Sequence, residues 1–394
     1  MTPPAEGAAA VDYVARAKAL APLLQQSSDA IERERRLAPA VVEALIAAGL
    51  FRMLLPRVYQ GGETDPMTFV QVLEEVARHD ASTAWCLGQT GVCAMASAYL
   101  PAASARAIWG DPRAILAWGA AAPPVAAIAV PGGYRVNGAW SFASGGHHAT
   151  WIGGHCIVYD ADGTPRKRPD GSSVPRTLLF PASEVVWTDI WDVIGLKGTG
   201  SDRYAVKDLF VAEDFTVDRD DPAERRCEAP LYRLRTDQMY PSGFAGVALG
   251  IARGLLDALM ALANEKTPRG YKTTMRLSAA VQTEIAELEA RLRAIRHYWL
   301  GTIAAAWDAA QRGEVPLEQR MAIRLCTTHV IREARAIAGD AYNAAGTTSV
   351  FARNPFERRF RDINAVSQQV QGRRTHFETV GQFLLGLEPD ALFL

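Results

Sequence analysis

The chain has 394 residues, room for roughly two or three domains by length alone. It is 49% hydrophobic, with 42 Lys plus Arg against 43 Asp plus Glu and a formal net charge of -1. That balance, without a basic stripe, argues against nucleic acid as a partner, and the lack of any apolar run of about 18 residues argues against a membrane span.

Met1 to Gly7 is Pro/Ala-rich and lacks the basic-then-apolar order of a signal peptide. The expectation is a cytoplasmic chain. Cysteines stand at 86, 93, 156, 227 and 326, with no CxxC pair. They read as small buried hydrophobes rather than a disulfide framework or a metal site.

The first third reads as helices. Val41, Val42, Leu45, Ile46 and Leu50 recur at helical spacing, and Gly49 falls where that helix should end. Asp65 followed by Pro66 has the pattern of an N-cap with proline at the first helical position, and Phe69, Val70, Leu73 and Val76 then line one face. Ser82 is placed as the cap of a further helix running to Tyr99, stopped by Pro101.

Near residue 114 the character changes. Ala126–Val130, Tyr134–Val136, His155–Tyr159, Thr177–Phe180, Val185–Ile190 and Ala205–Val211 read as short strands. Gly132-Gly133 and Asn137-Gly138 read as tight turns, and 160–174 as a long hairpin loop. A small barrel or sandwich from about 116 to 216 follows. After a charged connection, Phe244–Ala263, Leu277–Gln311 and Pro316–Ala345 read as long helices, and Asn364 to about Leu385 as a shorter one broken near Gly372. Long helices with short joins imply an antiparallel bundle. The expected domains are 1–115, 116–216 and 217–394. No GxGxxG, Walker loop or HExxH occurs, so no dinucleotide fold for NAD(P)H is expected.

Five segments, in chain order, carry a family resemblance. They are residues 48–62 (AGLFRMLLPRVYQGG), His79 to Trp85 (HDASTAW), Asn137 to Gly145 (NGAWSFASG), Gly195 to Ser201 (GLKGTGS) and Pro355 to Asp362 (PFERRFRD). Together they resemble the acyl-CoA dehydrogenase superfamily, and within it the two-component (group D) flavin-dependent monooxygenase branch. The resemblance implies a mainly α fold with an inserted β-barrel: a helical N-domain, a central barrel, and a C-terminal four-helix bundle that builds a homotetramer. It also implies reduced FAD or FMN bound between barrel and bundle. A separate NAD(P)H:flavin reductase would supply that flavin. A small aromatic substrate, indole-like or phenol-like, would be oxygenated with O2 through a C4a-(hydro)peroxyflavin.

Some candidate residues lie in those segments and others outside them. Ser144 and Gly145 stand where the resemblance places the flavin-contacting strand end; alone, Ser144 reads as a turn residue. Thr199 and Trp118 join them as candidate cofactor contacts. Trp85, Trp118 and Trp140 are each either core or the wall of an aromatic pocket. His147 and His148 are adjacent and cannot readily share a metal, so His148 is taken as a pocket-edge group with a candidate catalytic role. Arg269 stands near where relatives place an arginine on a flavin phosphate, and reads equally as solvated surface. Gly346, in Ala344-Ala345-Gly346, occupies the place of a glycine pair that contacts the neighbouring subunit's cofactor in relatives; one glycine is retained.

The choice between dehydrogenase and oxygenase turns on a base. A dehydrogenase needs a carboxylate to take the thioester α-proton, yet 363–370 holds no acid, nor does 240–254. The oxygenase branch carries a His near position 369, where this chain has Gln368-Gln369. A free phenol has a pKa near 10, so ionising it at pH 7 costs about 4 kcal/mol. Gln369 cannot act as that base, but it can donate and accept hydrogen bonds. It is therefore placed in the cavity as a positioning group, with His376 as the candidate replacement base at the substrate pocket. The alternatives are an acyl-CoA dehydrogenase or oxidase with a non-standard base, or a catalytically silent flavin-fold protein.

Overall fold

The computed structural model describes residues 11–219 and 221–389; the expectation about Met1 to Gly7 lies outside them. Helices α1 (Tyr13–Ala19), α2 (Ala21–Glu34), α3 (Pro39–Ala47), α4 (Pro66–His79), α5 (Ala81–Ala94) and α6 (Ala102–Trp109) come first. Gly49, at φ 73°, ends the turn after α3 in the left-handed conformation that glycine tolerates best. Asp65 caps α4 by accepting the Thr68 N–H at 2.9 Å, as its sequence position implies. The cap of α5 is Asp80, not Ser82: Asp80 Oδ1 accepts the Thr83 N–H at 2.7 Å, and Ser82 lies within the helix.

The central strands are β1 (Leu116–Trp118), β2 (Ala120–Val130), β3 (Gly133–Ser141), β4 (Trp151–Tyr159), β5 (Pro175–Pro181), β6 (Val186–Thr188), β7 (Arg203–Ala212) and β8 (Thr216–Val217). They form one sheet ordered β6-β7-β3-β2-β4-β5-β8, with β1 beside β4. Among the described residues the edge strands β6 and β8 are not paired with each other, so the expected barrel is a curled half-barrel. Gly132 makes the β2–β3 turn at φ 79°. Asn137-Gly138 makes no turn: it sits inside β3 at a register shift against β7, where Asn137 Oδ1 accepts the Asp208 N–H. A pair that favours tight turns also suits a bulge, and only cross-strand pairing distinguishes the two.

The bundle comprises α7 (Thr236–Glu265), α8 (Ala279–Arg312), α9 (Leu317–Ala344), α10 (Pro355–Gln368) and α11 (Thr375–Leu384). The fourth helix starts nine residues earlier than expected, at Pro355 rather than Asn364. The break near Gly372 is a 3-10 turn over Val370–Gly372.

By length and composition α7 could cross a membrane, contrary to the reading of apolar runs. In the fold it is the bundle core, packed against α4, α5, α8, α9 and α10. A stripe of glycines lets it approach α4 closely. A Cβ on Gly250 would lie 2.2 Å from the Glu74 carbonyl oxygen, and one on Gly246 or Gly254 would lie 2.8 Å from the Val70 or Arg78 oxygen.

Candidate active site

The end of β3 and the loop after it build the centre of the site. The chain leaves β3 at Ser141, and Phe142, 63% exposed, takes a left-handed φ of 63°. That conformation is costly for a residue with a side chain, by about 1–2 kcal/mol, and such residues concentrate at functional sites. Two residues on, Ser144 turns inward and is buried, its N–H donating to the Phe142 oxygen at 2.9 Å. Gly145 follows at φ 79°; a Cβ there would lie 2.9 Å from Thr90 Cγ2 and 3.2 Å from His148 Nε2.

Ser144 is the meeting point of three elements. Trp85, on α5, donates its indole N–H to Ser144 Oγ at 3.0 Å. Ser201 Oγ lies 2.6 Å from Ser144 Oγ, and Thr199 Oγ1 lies 2.7 Å from Ser201 Oγ. Thr199 donates to the Leu196 carbonyl at 2.8 Å, and its own carbonyl accepts the Gly145 N–H at 3.3 Å. The bundle anchors this loop, because Asp362 Oδ1 on α10 accepts the Leu196 N–H at 2.6 Å. Burial raises the Asp362 carboxyl to about 7, against the pull of that N–H. The Arg361-Asp362 pair at the end of the fifth segment is thus a joint between bundle and sheet.

An aromatic wall extends from Ser144. Trp85 stacks on Phe244 of α7, with ring centroids 3.8 Å apart and planes 7° from parallel. Phe244 in turn stacks on Tyr240 at 5.8 Å. Gln89 is half-buried on a helix that is otherwise buried, and its amide donates to Tyr240 Oη and to the Trp118 carbonyl, both at 3.3 Å. The Arg219 guanidinium lies 5.2 Å from the Trp118 ring, and His155 meets the same ring edge-on at 5.2 Å.

Burial sets the charge states here. It pushes the Cys93 thiol up to about 12 and the Tyr240 phenol well up, and with the Arg219 charge it drives His155 well down. Burial, helped by His147, lowers His148 to about 4, and its Nε2 is buried with no hydrogen-bond partner. His148 is therefore a neutral imidazole beside Gly145, with a nitrogen left open. Its neighbour His147 is tied to Asp202 at 2.7 Å.

Of the residues singled out from sequence, Ser144, Gly145, Thr199, His148, Trp85 and Trp118 come together in this region. Trp140 is core, fully buried and stacked on Tyr204 at 5.3 Å. Gln369 is half-buried at the junction of α10 and the 3-10 turn. Its Oε1 accepts the Gln371 N–H at 2.7 Å, which makes it a turn cap; among the described residues no hydrogen bond links it to Ser144.

His376 does not join Trp85 in a pocket. It is buried against α9, with Nδ1 3.1 Å from Thr328 Oγ1 and Nε2 3.5 Å from Arg324, whose guanidinium also donates to Gln371 Oε1. Burial and the Arg324 charge lower it to about 4. An imidazole so held is neutral near pH 7, with both ring nitrogens facing partners inside the bundle.

Arg269 and Gly346 lie elsewhere. Arg269 is exposed in the turn after α7, and Gly346, at φ 60°, follows α9, where Lys266 donates to the Ala345 carbonyl at 2.8 Å. From Phe244 to the end of α7 is about 30 Å along the helix. One chain therefore does not gather these residues with Ser144.

Sequence reading missed Ser201, Gln89, Tyr240 and Phe244. Ser201 was inside a quoted segment, and a glutamine on an otherwise apolar helix was a signal that could have been used. Tyr240 and Phe244 gave none, since an aromatic pair at spacing four reads as core.

The site fits a flavin. Ser144 and Gln89 offer polar atoms to its edge, the buried His148 Nε2 is left without a partner, and a Cβ at Gly145 would fill the space beside it.

The chain matches two family profiles, "Acyl-CoA dehydrogenase, N-terminal domain" over residues 11–105 and "Acyl-CoA dehydrogenase, C-terminal domain" over residues 242–372. It is 28% identical to an indole-3-acetate monooxygenase of Pseudomonas putida, covering 91% of this chain and 90% of that protein. It is likewise 28% identical to a flavin-dependent monooxygenase oxygenase subunit, HsaA, of Rhodococcus jostii, covering 89% and 92%. Among solved structures, XiaF from Streptomyces in complex with FADH2 superimposes with a TM-score of 0.88 at 25% identity, covering 96% of each chain.

Proposed function

We propose, from the premise that this chain belongs to the acyl-CoA dehydrogenase superfamily and is homologous to the oxygenase components of two-component flavin-dependent monooxygenases, that it oxygenates a small, electron-rich aromatic substrate. Reduced FAD or FMN from a separate NAD(P)H:flavin reductase, when bound, supplies the two electrons that activate O2.

The observation that carries this reading is the make-up of the array around Ser144. Trp85, Phe244, Tyr240, Gln89 and Trp118 provide flat faces and neutral hydrogen-bonding groups, with no carboxylate among them to take an α-proton. Ser144 and Gln89 hold and orient a ring edge. The aromatic wall excludes water, which strengthens every polar contact inside it. The imidazoles at 148 and 155 are held neutral with lowered pKa, and the Tyr240 phenol is pushed up. No group in the array is poised to ionise a phenol at neutral pH, and this favours a ring that reacts without ionisation, such as an indole. The relative from Pseudomonas putida, named for indole-3-acetate, supports the same class.

Assembly through the bundle, as a homotetramer, is part of the proposal. It is supported by the exposed apolar side chains Val350, Phe351, Leu384, Leu385 and Leu387 on that part of the chain.

The test is oxygen uptake and product analysis with NADH, FAD or FMN, and a panel of indoles, phenols and acyl-CoA thioesters. The protein alone should not oxidise NADH; with an added flavin reductase, indoles should give a product one oxygen heavier. Bleaching of bound oxidised flavin by an acyl-CoA under anaerobic conditions would instead make the chain a dehydrogenase.

A further inference from the structure

The hydrogen bonds around Ser144 have a direction, and it follows from a carbonyl. A carbonyl oxygen only accepts, so the 2.8 Å contact between Thr199 Oγ1 and the Leu196 oxygen commits the single Thr199 proton to Leu196. Thr199 must then accept from Ser201 across their 2.7 Å contact. With its proton so used, Ser201 must accept from Ser144 across 2.6 Å. Trp85 can only donate, and its indole N–H occupies one Ser144 lone pair at 3.0 Å. The chain runs one way, from Trp85 through Ser144, Ser201 and Thr199 to Leu196, and Asp362 fixes its far end by accepting the Leu196 N–H. All three hydroxyl-bearing residues are buried, at 4%, 1% and 3% exposure for Ser144, Ser201 and Thr199, so water does not compete for these protons.

We propose that Ser201 and Thr199 are positioning residues that commit the Ser144 proton inward and leave its oxygen to face the cofactor only as an acceptor. An acceptor-only Ser144 is matched to a flavin edge that presents an N–H. The central nitrogen of the flavin ring carries hydrogen in the reduced state and is a bare acceptor in the oxidised state. The relay would thus tilt the cradle toward the reduced flavin without any charged group, and would do so through residues that need not touch the flavin. This rests on the reading above that Ser144 meets the flavin edge.

The experiment measures dissociation constants of the full-length protein for FMN and FAD, oxidised in air and dithionite-reduced under anaerobic conditions, together with the midpoint potential of the bound flavin. Ser201→Ala should release the Ser144 proton and tighten binding of the oxidised form. The reduced-over-oxidised preference should fall by about tenfold, the size of one hydrogen bond, which for a two-electron couple is a shift of about 30 mV. Thr199→Val should move it the same way, and Thr199→Ser, which keeps the hydroxyl, should retain the wild-type preference. Ser144→Ala should also lower the preference, but by weakening the reduced form.

If Ser201→Ala and Thr199→Val leave the preference within twofold while Ser144→Ala changes it, the relay does not set the polarity and the proposal is overturned, with the flavin reading intact. If Ser144→Ala changes neither affinity, the flavin reading itself fails. Should Ser201→Ala not fold, as judged by circular dichroism, the Thr199→Val and Thr199→Ser pair decides the matter by the same criterion.

Discussion

Trp85 can be taken apart into its two interactions. Its ring face lies 3.8 Å from Phe244, and its N–H reaches Ser144 at 3.0 Å, with the residue 7% exposed. Trp85→Ala removes both and leaves a cavity, at a cost of about 3–5 kcal/mol. Trp85→Phe keeps one ring on Phe244 and loses the donor and half of the indole. The lost hydrogen bond is worth about 1 kcal/mol, and the smaller buried area adds about 1 kcal/mol. Ser144 retains Ser201 as a partner, so no orphaned polar group adds to the cost. The expectation is about 2 kcal/mol for Phe and about twice that for Ala. Urea unfolding at one fixed protein concentration, compared at unchanged slope, measures both. If Phe costs as much as Ala, the stack on Phe244 contributes nothing. If Phe costs under about 0.5 kcal/mol, the indole N–H bond is not a real contributor, since that bond alone should exceed it.

Gly250→Ala should destabilise despite alanine's better helix propensity, a gain of about 1 kcal/mol, because its Cβ would meet the Glu74 backbone oxygen at 2.2 Å. Backbone cannot rotate away, so α4 and α7 must separate; a lower thermal midpoint checks this, and an unchanged or higher one refutes it. For pH, the folded pKa of His376 lies near 4, below the ordinary value of 6.5. The unfolded chain therefore binds more protons between those values, so its stabilising contribution is complete above 6.5 and is lost as pH falls toward 4, by about 3 kcal/mol at most. His376→Asn should show a shallower loss of thermal stability between pH 7 and 4.5 than the wild type. Gln369→Ala should lower the yield of product per O2 with a modest loss of stability from the missing turn cap, and Gln369→His should help phenols more than indoles; equal effects on both substrates would remove Gln369 from the site. Light scattering at working concentration should give a tetramer, and a monomer would reject assembly through the bundle.

The order of elements was legible in the sequence, because it is carried by local signals. Asp65-Pro66 capped a helix where local chemistry said it should, Gly49 ended one, and alternating β-branched runs became β2 to β7. The five quoted segments also led to the right family, and Ser144, Gly145, Thr199, Trp85 and Trp118 to one region. What failed was of another kind. Asn137-Gly138 has the composition of a turn but forms a bulge, since pairing with β7 decides it. The contacts of Gln369 and His376, a turn cap for one and Thr328 with Arg324 for the other, were not readable from spacing along the chain after α10. Ser201 escaped notice because a serine's role depends on which oxygen waits across the gap. Spacing along a chain fixes the face of a helix or strand, and so the core and the fold class. The direction of a buried hydroxyl and the protonation state of a buried imidazole depend on partners contributed by residues tens to hundreds of positions away, and only the folded structure brings those partners within 3 Å.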